Sequence, residues 1–251
     1  MALLEVQEVS MKFGELIAND SVSFSVEAGA IVGLIGPNGA GKTTLFNCIS
    51  GLYTPSCGKI TFDDRDITGL PAYRIARMGA VRTFQVVRPL KEMTVYDNVL
   101  VGAFLRASGN VQAHETAEKC LDICKLTEVA ERPAGELSIG GKKRLELARA
   151  LAARPKLLML DEVMAGLTPT EMKLAVELIR NIRDSGITLL IVEHIMEAIM
   201  PIADKVVVLD GGIKIAEGPP EQIINDENVI TAYLGAKFSR RMKDRGGVGL
   251  A

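Results

Sequence analysis

A glycine-rich segment at residues 36–43 constrains the fold of this chain more than any other feature of the sequence. The segment, GPNGAGKT, fits the pattern G-x-x-x-x-G-K-[ST] in full. An apolar, β-rich run at residues 31–35 precedes it, and a helical pattern at residues 43–52 follows it. A strand, a glycine-rich loop and a helix in this order predict a phosphate-binding loop, because backbone N–H groups and the positive end of the helix dipole face the loop.

The residue types in this loop each suit phosphate chemistry. Gly39 and Gly41 allow backbone conformations that turn successive N–H groups inward. Lys42 supplies a positive charge to the β- and γ-phosphates of a nucleotide, and Thr43 supplies a hydroxyl group to Mg²⁺. The predicted nucleotide-binding residues of the segment are Gly36, Asn38, Gly39, Ala40, Gly41, Lys42, Thr43 and Thr44.

Two acidic residues directly follow an apolar run in the second half of the chain. Residues 157–160 are LLML, and Asp161 and Glu162 come next. In open α/β sheets the ligand crevice lies at the carboxyl ends of the strands, where this pair would stand. Asp161 is predicted to hold Mg²⁺, directly or through water, and Glu162 to polarise the attacking water as a general base. Beside a phosphate-binding loop, the pair favours nucleotide hydrolysis.

The remaining pattern predicts a parallel sheet with helices on both faces. Short apolar runs at residues 156–160, 187–192 and 205–209 alternate with helical periodicity, as at residues 171–183. Between about residues 88 and 154, apolar residues recur at helical spacing and β-branched runs thin out. The middle of the chain is therefore predicted to be a mainly helical insertion into an α/β core.

Composition and charge argue against several classes of protein. The 251 residues carry 29 Lys and Arg against 31 Asp and Glu, a formal net charge of -2, which gives no support for a nucleic-acid partner. No apolar run approaches the about 18 residues of a membrane span, and residues 1–14 show no secretory signal, so we expect a cytoplasmic protein. The four cysteines form no C-x-x-C pair and are expected to be reduced structural thiols, and the two histidines exclude a His-rich metal centre.

The segment after residue 136 resembles a motif of one family. Residues 137–141 (LSIGG) and the helical run 142–151 are similar to the LSGGQ signature and its helix in the ATP-binding cassette (ABC) family, and the resemblance extends over nearly the whole chain. It implies that the segment reaches across a head-to-tail dimer to the γ-phosphate held by the partner subunit. Ser138 can cap the helix and offer a hydroxyl group, and Gly140 permits close backbone approach.

Three further positions match motifs of that family. Gln85, in the sequence VRTFQ, matches the Q-loop residue that senses the metal and the nucleotide. His194 matches the switch histidine near the γ-phosphate, and Phe13 matches the aromatic residue that stacks on adenine. The resemblance therefore implies ATP and Mg²⁺ as cofactors. The metal-site residues that it implies are Thr43, Gln85 and Asp161. The catalytic residues that it implies are Glu162, His194 and Lys42.

Four positions depart from the family pattern. Ile139 stands where glycine is usual, Gly141 where glutamine is usual, and Val163 where proline follows the catalytic Glu. Thr168 replaces the aspartate that normally contacts the partner subunit, although residues 168–171 (TPTE) also fit a capping box with Pro at the first helical position. The phosphate and Mg²⁺ ligands are unaffected, so the expectation is a dimer with weakened, asymmetric hydrolysis.

A narrower resemblance concerns the kind of transporter. Five segments are similar to segments of the ATPase subunits of branched-chain amino acid importers: residues 66–71, 81–85, 93–99, 217–219 and 229–235. Lipopolysaccharide-export ATPases share part of this pattern. The implied partners are a second ABC ATPase subunit, identical or not, integral membrane permease subunits and, indirectly, a solute-binding protein. The chain would then lie at the cytoplasmic face of the membrane and drive the permease by ATP-dependent closure of the dimer.

The expected fold class is α/β. We expect a P-loop NTPase core of the ABC ATPase type, with a small antiparallel β subdomain and a helical subdomain inserted at about residues 88–154. Residues 1–235 are predicted to form this single domain, and residues 236–251 a basic, flexible C-terminal tail.

Three other functions compete with a transport ATPase. A P-loop kinase or GTPase would share the phosphate-binding loop. It would not need Gln85, the segment 137–149 and His194 to follow one another along the chain. A cassette protein of DNA repair or translation usually carries a long coiled-coil insertion or two cassettes, and neither is visible. A non-catalytic regulatory subunit is disfavoured by four intact residues, Lys42, Asp161, Glu162 and His194.

Overall fold

The computed structural model describes residues 1–84 and 87–234. Within them the strands are β1 (Ala2–Phe13), β2 (Leu16–Glu27), β3 (Ile31–Ile35), β4 (Cys57–Phe62), β5 (Arg65–Asp66), β6 (Ala80–Arg82), β7 (Leu157–Asp161), β8 (Thr188–Val192), β9 (Lys205–Asp210) and β10 (Ile213–Gly218). The α-helices are α1 (Lys42–Ile49), α2 (Ala72–Met78), α3 (Val95–Ala103), α4 (Asn110–Ile123), α5 (Ile139–Ala152), α6 (Pro169–Asp184), α7 (Met196–Ile199), α8 (Pro220–Ile224) and α9 (Glu227–Leu234).

The strands form two sheets. The first is an antiparallel sheet of four strands in the order β2-β1-β4-β5. The second has six strands in the order β10-β9-β3-β8-β7-β6, all parallel except β10, which runs antiparallel to β9. The α/β core with a small antiparallel β portion near the N-terminus is therefore confirmed.

The parallel sheet is buried on both faces, which explains its uninterrupted apolar runs. All five positions of β3, β7 and β8 are buried. Successive side chains point to opposite faces, so Ile31 and Ile35 pack with the cluster that includes α3, α5 and α6, whereas Val32 and Leu34 pack with α1 and the antiparallel sheet. The central strand of the sheet thus lies between two apolar layers.

The region from residue 88 to residue 154 contains α3, α4 and α5, with two short 3₁₀ turns at Thr127–Val129 and Ala134–Glu136. α5 begins after Ser138, whose hydroxyl group accepts the N–H of Gly141, so the predicted cap is confirmed. The capping box of α6 is also confirmed, because Thr168 and Glu171 each accept a backbone N–H from the other.

Several bounds differ from the sequence-based expectations. The helix expected at residues 43–52 ends at Ile49, because Gly51 adopts a left-handed conformation with φ 73°. The apolar runs of the sequence did not predict β1 and β10. β1 forms an antiparallel hairpin with β2, and β10 forms one with β9, each closed by two residues. β10 is an edge strand with no fully buried position, so its sequence carries no continuous apolar run.

Within the described residues, no helix combines the length and the apolar character needed to cross a bilayer. All four cysteines lie in the described ranges and are unbonded; Cys48, Cys120 and Cys124 are buried, and Cys57 is exposed. Burial raises the pKa of Cys48 and of Cys120 to about 11.

Candidate functional site

The phosphate-binding loop joins the carboxyl end of β3 to the first residue of α1. β3 lies between β8 and β9, so the loop emerges at the centre of the sheet edge. Gly36 adopts φ 150°, and a Cβ atom there would lie 2.1 Å from the carbonyl oxygen of Leu209. Gly41 adopts φ 90°, and its Cβ would lie 2.4 Å from the carbonyl oxygen of Ala18. Both positions therefore require glycine for conformation and for space.

Lys42 is folded back onto its own loop. Its Nζ donates hydrogen bonds to the carbonyl oxygens of Gly36 over 2.7 Å and Pro37 over 3.0 Å. Burial lowers the pKa of Lys42, while Glu162 and Asp161 raise it. The ammonium group is thus held at the loop opening, where a bound phosphate would meet it.

An open cavity of about 520 Å³ lies over this loop. Phe13, the last residue of β1, lines it together with Glu162 and Gly212. The Phe13 ring is 43% exposed and meets the ring of Tyr53 edge-on, with centroids 5.5 Å apart. The residues of the phosphate-binding loop that line the cavity are Asn38, Gly39, Ala40, Gly41, Lys42, Thr43 and Thr44. The structure therefore brings the predicted adenine-stacking residue and most of the predicted loop residues to one surface.

Asp161 is the last residue of β7 and is only 2% exposed. Its Oδ2 accepts a hydrogen bond of 2.9 Å from Nη2 of Arg82, whereas its Oδ1 is buried without a hydrogen-bond partner in the described part of the chain. Burial raises the pKa of Asp161, and the guanidinium group of Arg82 opposes this shift. Thr43 and Asp161 line a second cavity, of about 690 Å³.

Glu162 follows Asp161 in a left-handed backbone conformation, with φ 48°. This conformation is costly for a residue with a Cβ atom and is concentrated at functional sites. The N–H of Glu162 donates to the carbonyl oxygen of Val192 over 2.9 Å, which fixes the turn against β8. The Oε1 of Glu162 lies 3.6 Å from Nδ1 of His194. Two predicted catalytic residues are therefore adjacent.

These residues fit a magnesium nucleotide. The left-handed glycines leave a cradle that a Cβ atom would fill, and Lys42 supplies positive charge beside it. Oδ1 of Asp161, which has no hydrogen-bond partner among residues 1–84 and 87–234, is a hard oxygen donor of the kind that Mg²⁺ prefers. Thr43 offers a hydroxyl group in the same cavity. We therefore find a donor set that can hold both the phosphates and the metal.

The signature residues are not part of this cavity. Ser138 and Gly140 lie at the N-terminus of α5, and Gly140 lines a different cavity of about 130 Å³ between α5 and α6. Ile139, which departs from the family pattern, is 69% exposed. Gln85 and the tail at residues 236–251 lie outside the described residues, so their predicted roles stay predictions.

Sequence reasoning missed three charged residues around the site, of which Glu193 is fully buried. Arg82 contacts Asp161, Lys143 donates from α5 to the carbonyl oxygens of Glu162 and Val163, and Glu193 accepts the N–H of Met164 over 2.8 Å. Their only local signal is a charge placed beside an apolar run, which is common at strand ends and on helices.

Comparison with known proteins identifies the family. A family model described as "ABC transporter" matches residues 19–165, more than half of the chain, and one described as "Branched-chain amino acid ATP-binding cassette transporter" matches residues 214–239. The chain is 44% identical over 249 residues to the high-affinity branched-chain amino acid transport ATP-binding protein BraF of Pseudomonas aeruginosa, covering 93% of this chain and 98% of the relative. It is also 44% identical over 251 residues to the corresponding protein LivG of Escherichia coli strain K12, with the same coverage.

Solved structures give the same result. The ADP conformation of an ATP-binding cassette of an ABC transporter superposes with a TM-score of 0.85 at 35% identity, covering 94% of this chain and 99% of that one. A nucleotide-free ATP-binding cassette from an ABC transporter superposes with a TM-score of 0.84 at 34% identity, covering 93% and 99%. The phosphate-binding loop, the acidic strand end and these relatives lead to one conclusion: the chain belongs to the ABC transporter family, as an ATP-binding cassette ATPase.

Proposed function

We propose that this chain is the ATP-binding and ATP-hydrolysing subunit of an importer of branched-chain amino acids. The observation that carries the proposal is the convergence of Lys42, Asp161, Glu162 and His194 at the carboxyl ends of adjacent strands. The substrate class is supported by the printed names of relatives that match over 93% of the chain, and by the second family model at residues 214–239.

The loop residues bind the nucleotide phosphates. Backbone N–H groups of residues 38–43 and the N-terminus of α1 face the phosphates, and Lys42 exchanges its carbonyl contacts for phosphate oxygens. Thr43 and Asp161 would hold Mg²⁺, with Gln85 as a further proposed ligand. When bound, Mg²⁺ neutralises charge on the phosphate oxygens.

Glu162 and His194 act on the water that attacks the γ-phosphate. Glu162 orients the water and accepts its proton at a carboxylate oxygen. His194, 3.6 Å away, restrains the carboxylate by its Nδ1 and stands near the same phosphate. Phe13 lies beside the loop, where its ring stacks on the adenine.

We further propose that two such cassettes close head to tail around two ATP molecules. Ser138 and Gly140 then complete the site of the partner subunit, since neither lines the cavity over the phosphate-binding loop of their own chain. The helical subdomain at about residues 88–154 docks on integral membrane permease subunits at the cytoplasmic face, and a solute-binding protein delivers the amino acid to them. Residues 1–235 form the single cassette domain.

The proposal is tested by coexpressing the chain with candidate permease and cassette subunits and reconstituting the complex in proteoliposomes. ATP-driven uptake of leucine, isoleucine or valine, abolished by Glu162→Gln, is the expected result. Stable ATP hydrolysis without uptake of any of these amino acids would reject the substrate assignment. A chain that binds ATP but never hydrolyses it, alone or with its partners, would instead be a regulatory subunit.

A further inference from the structure

Arg82 ends β6 and lies inside the site, and the motif VRTFQ gives a role to Gln85 but none to Arg82. Its Nη2 donates to Oδ2 of Asp161 over 2.9 Å, and the two side chains are 10% and 3% exposed. Its Nη1 donates to Oδ1 of Asn47 over 2.6 Å and to Oγ of Ser50 over 2.9 Å, and its Nε donates to the carbonyl oxygen of Thr83 over 3.2 Å. Four hydrogen bonds therefore hold one guanidinium group.

Two aromatic rings fix the plane of this group. The guanidinium carbon of Arg82 lies 4.8 Å from the ring centroid of Phe46 and 4.7 Å from that of Phe84. Phe84 is itself held, because its N–H donates to Oε1 of Glu146 on α5 over 2.7 Å. Arg82 is thus anchored by contacts that do not involve Asp161, so it serves as a fixed point against which the carboxylate is oriented.

The anchoring contacts join the two elements that carry the proposed metal ligands. Thr43 lies in the first turn of α1, and Asp161 ends β7. Arg82 reaches α1 through Asn47 and Ser50, at the opposite end of that helix, and reaches β7 through Asp161. A single side chain therefore links both elements directly by hydrogen bonds.

The two carboxylate oxygens of Asp161 differ in their hydrogen-bond partners. Oδ2 is occupied by Arg82, and Oδ1 is buried with no hydrogen-bond partner in the described residues. We propose, on the basis of the proposed Mg-ATP function, that Arg82 is a positioning residue of the metal site: it binds Oδ2 and thereby presents Oδ1 to the divalent cation. Metal ligands in proteins are commonly oriented in this way by a fixed hydrogen-bonding neighbour.

The contrary arrangement is a guanidinium group that competes with the metal for Asp161. In that case removal of Arg82 would strengthen metal binding. The four hydrogen bonds and two ring contacts favour orientation over competition, because a competing cation has to leave when the metal arrives, and Arg82 would give up a buried, well-formed set of contacts.

The experiment measures the gain in nucleotide affinity that the metal provides. Binding of a non-hydrolysable ATP analogue to the full-length protein is measured by calorimetry in EDTA and in saturating Mn²⁺, and the ratio of the two dissociation constants is compared between variants. Electron paramagnetic resonance of the bound Mn²⁺ reports the ligand geometry directly. Arg82→Gln should reduce the ratio about tenfold, as loss of an outer partner of a metal ligand typically does, while affinity in EDTA stays within about twofold.

Conservative and matched variants separate positioning from a general effect of charge or folding. The ratio for Arg82→Lys should lie between those for Arg82→Gln and the wild-type protein, because an ammonium group lacks the planar fork that makes four hydrogen bonds. Arg149→Gln removes a cation from the same cavity without a contact to Asp161 and should leave the ratio unchanged. Asn47→Ala and Ser50→Ala loosen the guanidinium group while keeping its charge, and should lower the ratio less than Arg82→Gln does.

An unchanged or larger ratio in folded Arg82→Gln would overturn the proposal, and a larger one would show competition with the metal. Should Arg82→Gln not fold, the Asn47→Ala and Ser50→Ala variants decide by the same criterion. Absence of analogue binding to the wild-type protein, with or without Mn²⁺, would instead contradict the proposed ATPase function.

Discussion

The Nδ1 atom of His194 lies 3.6 Å from Oε1 of Glu162, although the two residues are 32 positions apart along the chain. Glu162 directly follows β7, and His194 lies just beyond β8. These strands are parallel neighbours, and Asp161 pairs with Val192 in their register, so both side chains emerge at the same edge of the sheet. This adjacency makes Glu162 the best-placed base in the described part of the site.

Replacement of Glu162 by Gln should stop hydrolysis without loss of nucleotide binding. The amide keeps the shape of the side chain but cannot accept a proton, and loss of a general base typically lowers turnover about 10²- to 10⁴-fold. Single-turnover hydrolysis and nucleotide titration measure the two properties separately. His194→Gln should lower turnover less, and an equal loss of nucleotide affinity in either variant would contradict the assigned roles.

Replacement of Gly36 by Ala should destabilise the fold as well as the loop. The new Cβ would lie 2.1 Å from the carbonyl oxygen of Leu209 in a backbone conformation of φ 150°, so either strand β9 or the loop must shift. We expect the free energy of unfolding to fall by about 3 kcal/mol. Gly186→Ala is the control, because Gly186 also has a positive φ, of 92°, but its Cβ would meet nothing within 4 Å; urea unfolding should show a loss of only about 1 kcal/mol.

Replacement of Glu193 by Gln should change how stability depends on pH. Glu193 is fully buried, and burial raises its pKa above the ordinary value of 4.5. A carboxyl group with a raised folded-state pKa costs stability as the pH rises through the interval between its unfolded and folded values. Glutamine does not ionise, so the stability of the variant relative to wild type should increase as the pH rises above the ordinary carboxyl pKa of 4.5.

Urea unfolding at several pH values measures this difference. Glu177→Gln, on the exposed face of α6, serves as the control and should show no such trend. A constant difference between Glu193→Gln and wild type across this pH range would show that burial does not raise the pKa of Glu193.

Replacement of Lys143 by Met should loosen the segment that carries Glu162. The ammonium group of Lys143, on α5, donates to the backbone carbonyl oxygens of Glu162, Val163 and Ala165. Methionine keeps the chain length but leaves these carbonyls without their donor, at a cost of about 2 kcal/mol in the free energy of unfolding, and turnover should fall because Glu162 is less well held. Lys142→Met, one residue earlier on the same helix, should change stability by no more than about 0.5 kcal/mol.

Restoring the family residues at two positions should raise turnover. Ile139 is exposed at the N-terminus of α5, and Thr168 caps α6 with its hydroxyl group. The double variant Ile139→Gly, Thr168→Asp should hydrolyse ATP faster per site if these residues weaken the contact with the partner. Aspartate is as good a helix cap as threonine, so Thr168→Asp alone should keep stability within about 0.5 kcal/mol. An unchanged steady-state rate in the double variant would contradict the expectation of weakened hydrolysis.

The sequence by itself determined the features that depend on neighbouring residues. The phosphate-binding loop, the caps of α5 and α6 and the acidic pair at the end of β7 each lie within a few consecutive residues. The alternation of apolar runs with helices predicted the α/β core for the same reason, since a strand buried on both faces must be apolar throughout.

Only the tertiary structure decided which distant residues meet at the site. The hydrogen bond of Arg82 to Asp161 joins residues 79 positions apart, through a strand of three residues that no local pattern predicts. Phe13 reaches the phosphate-binding loop because β1 ends beside it, and Gly36 is required by the backbone of β9. Such contacts follow from the spatial order of the strands, which depends on packing energy summed over the whole core and leaves no trace at any single position of the sequence.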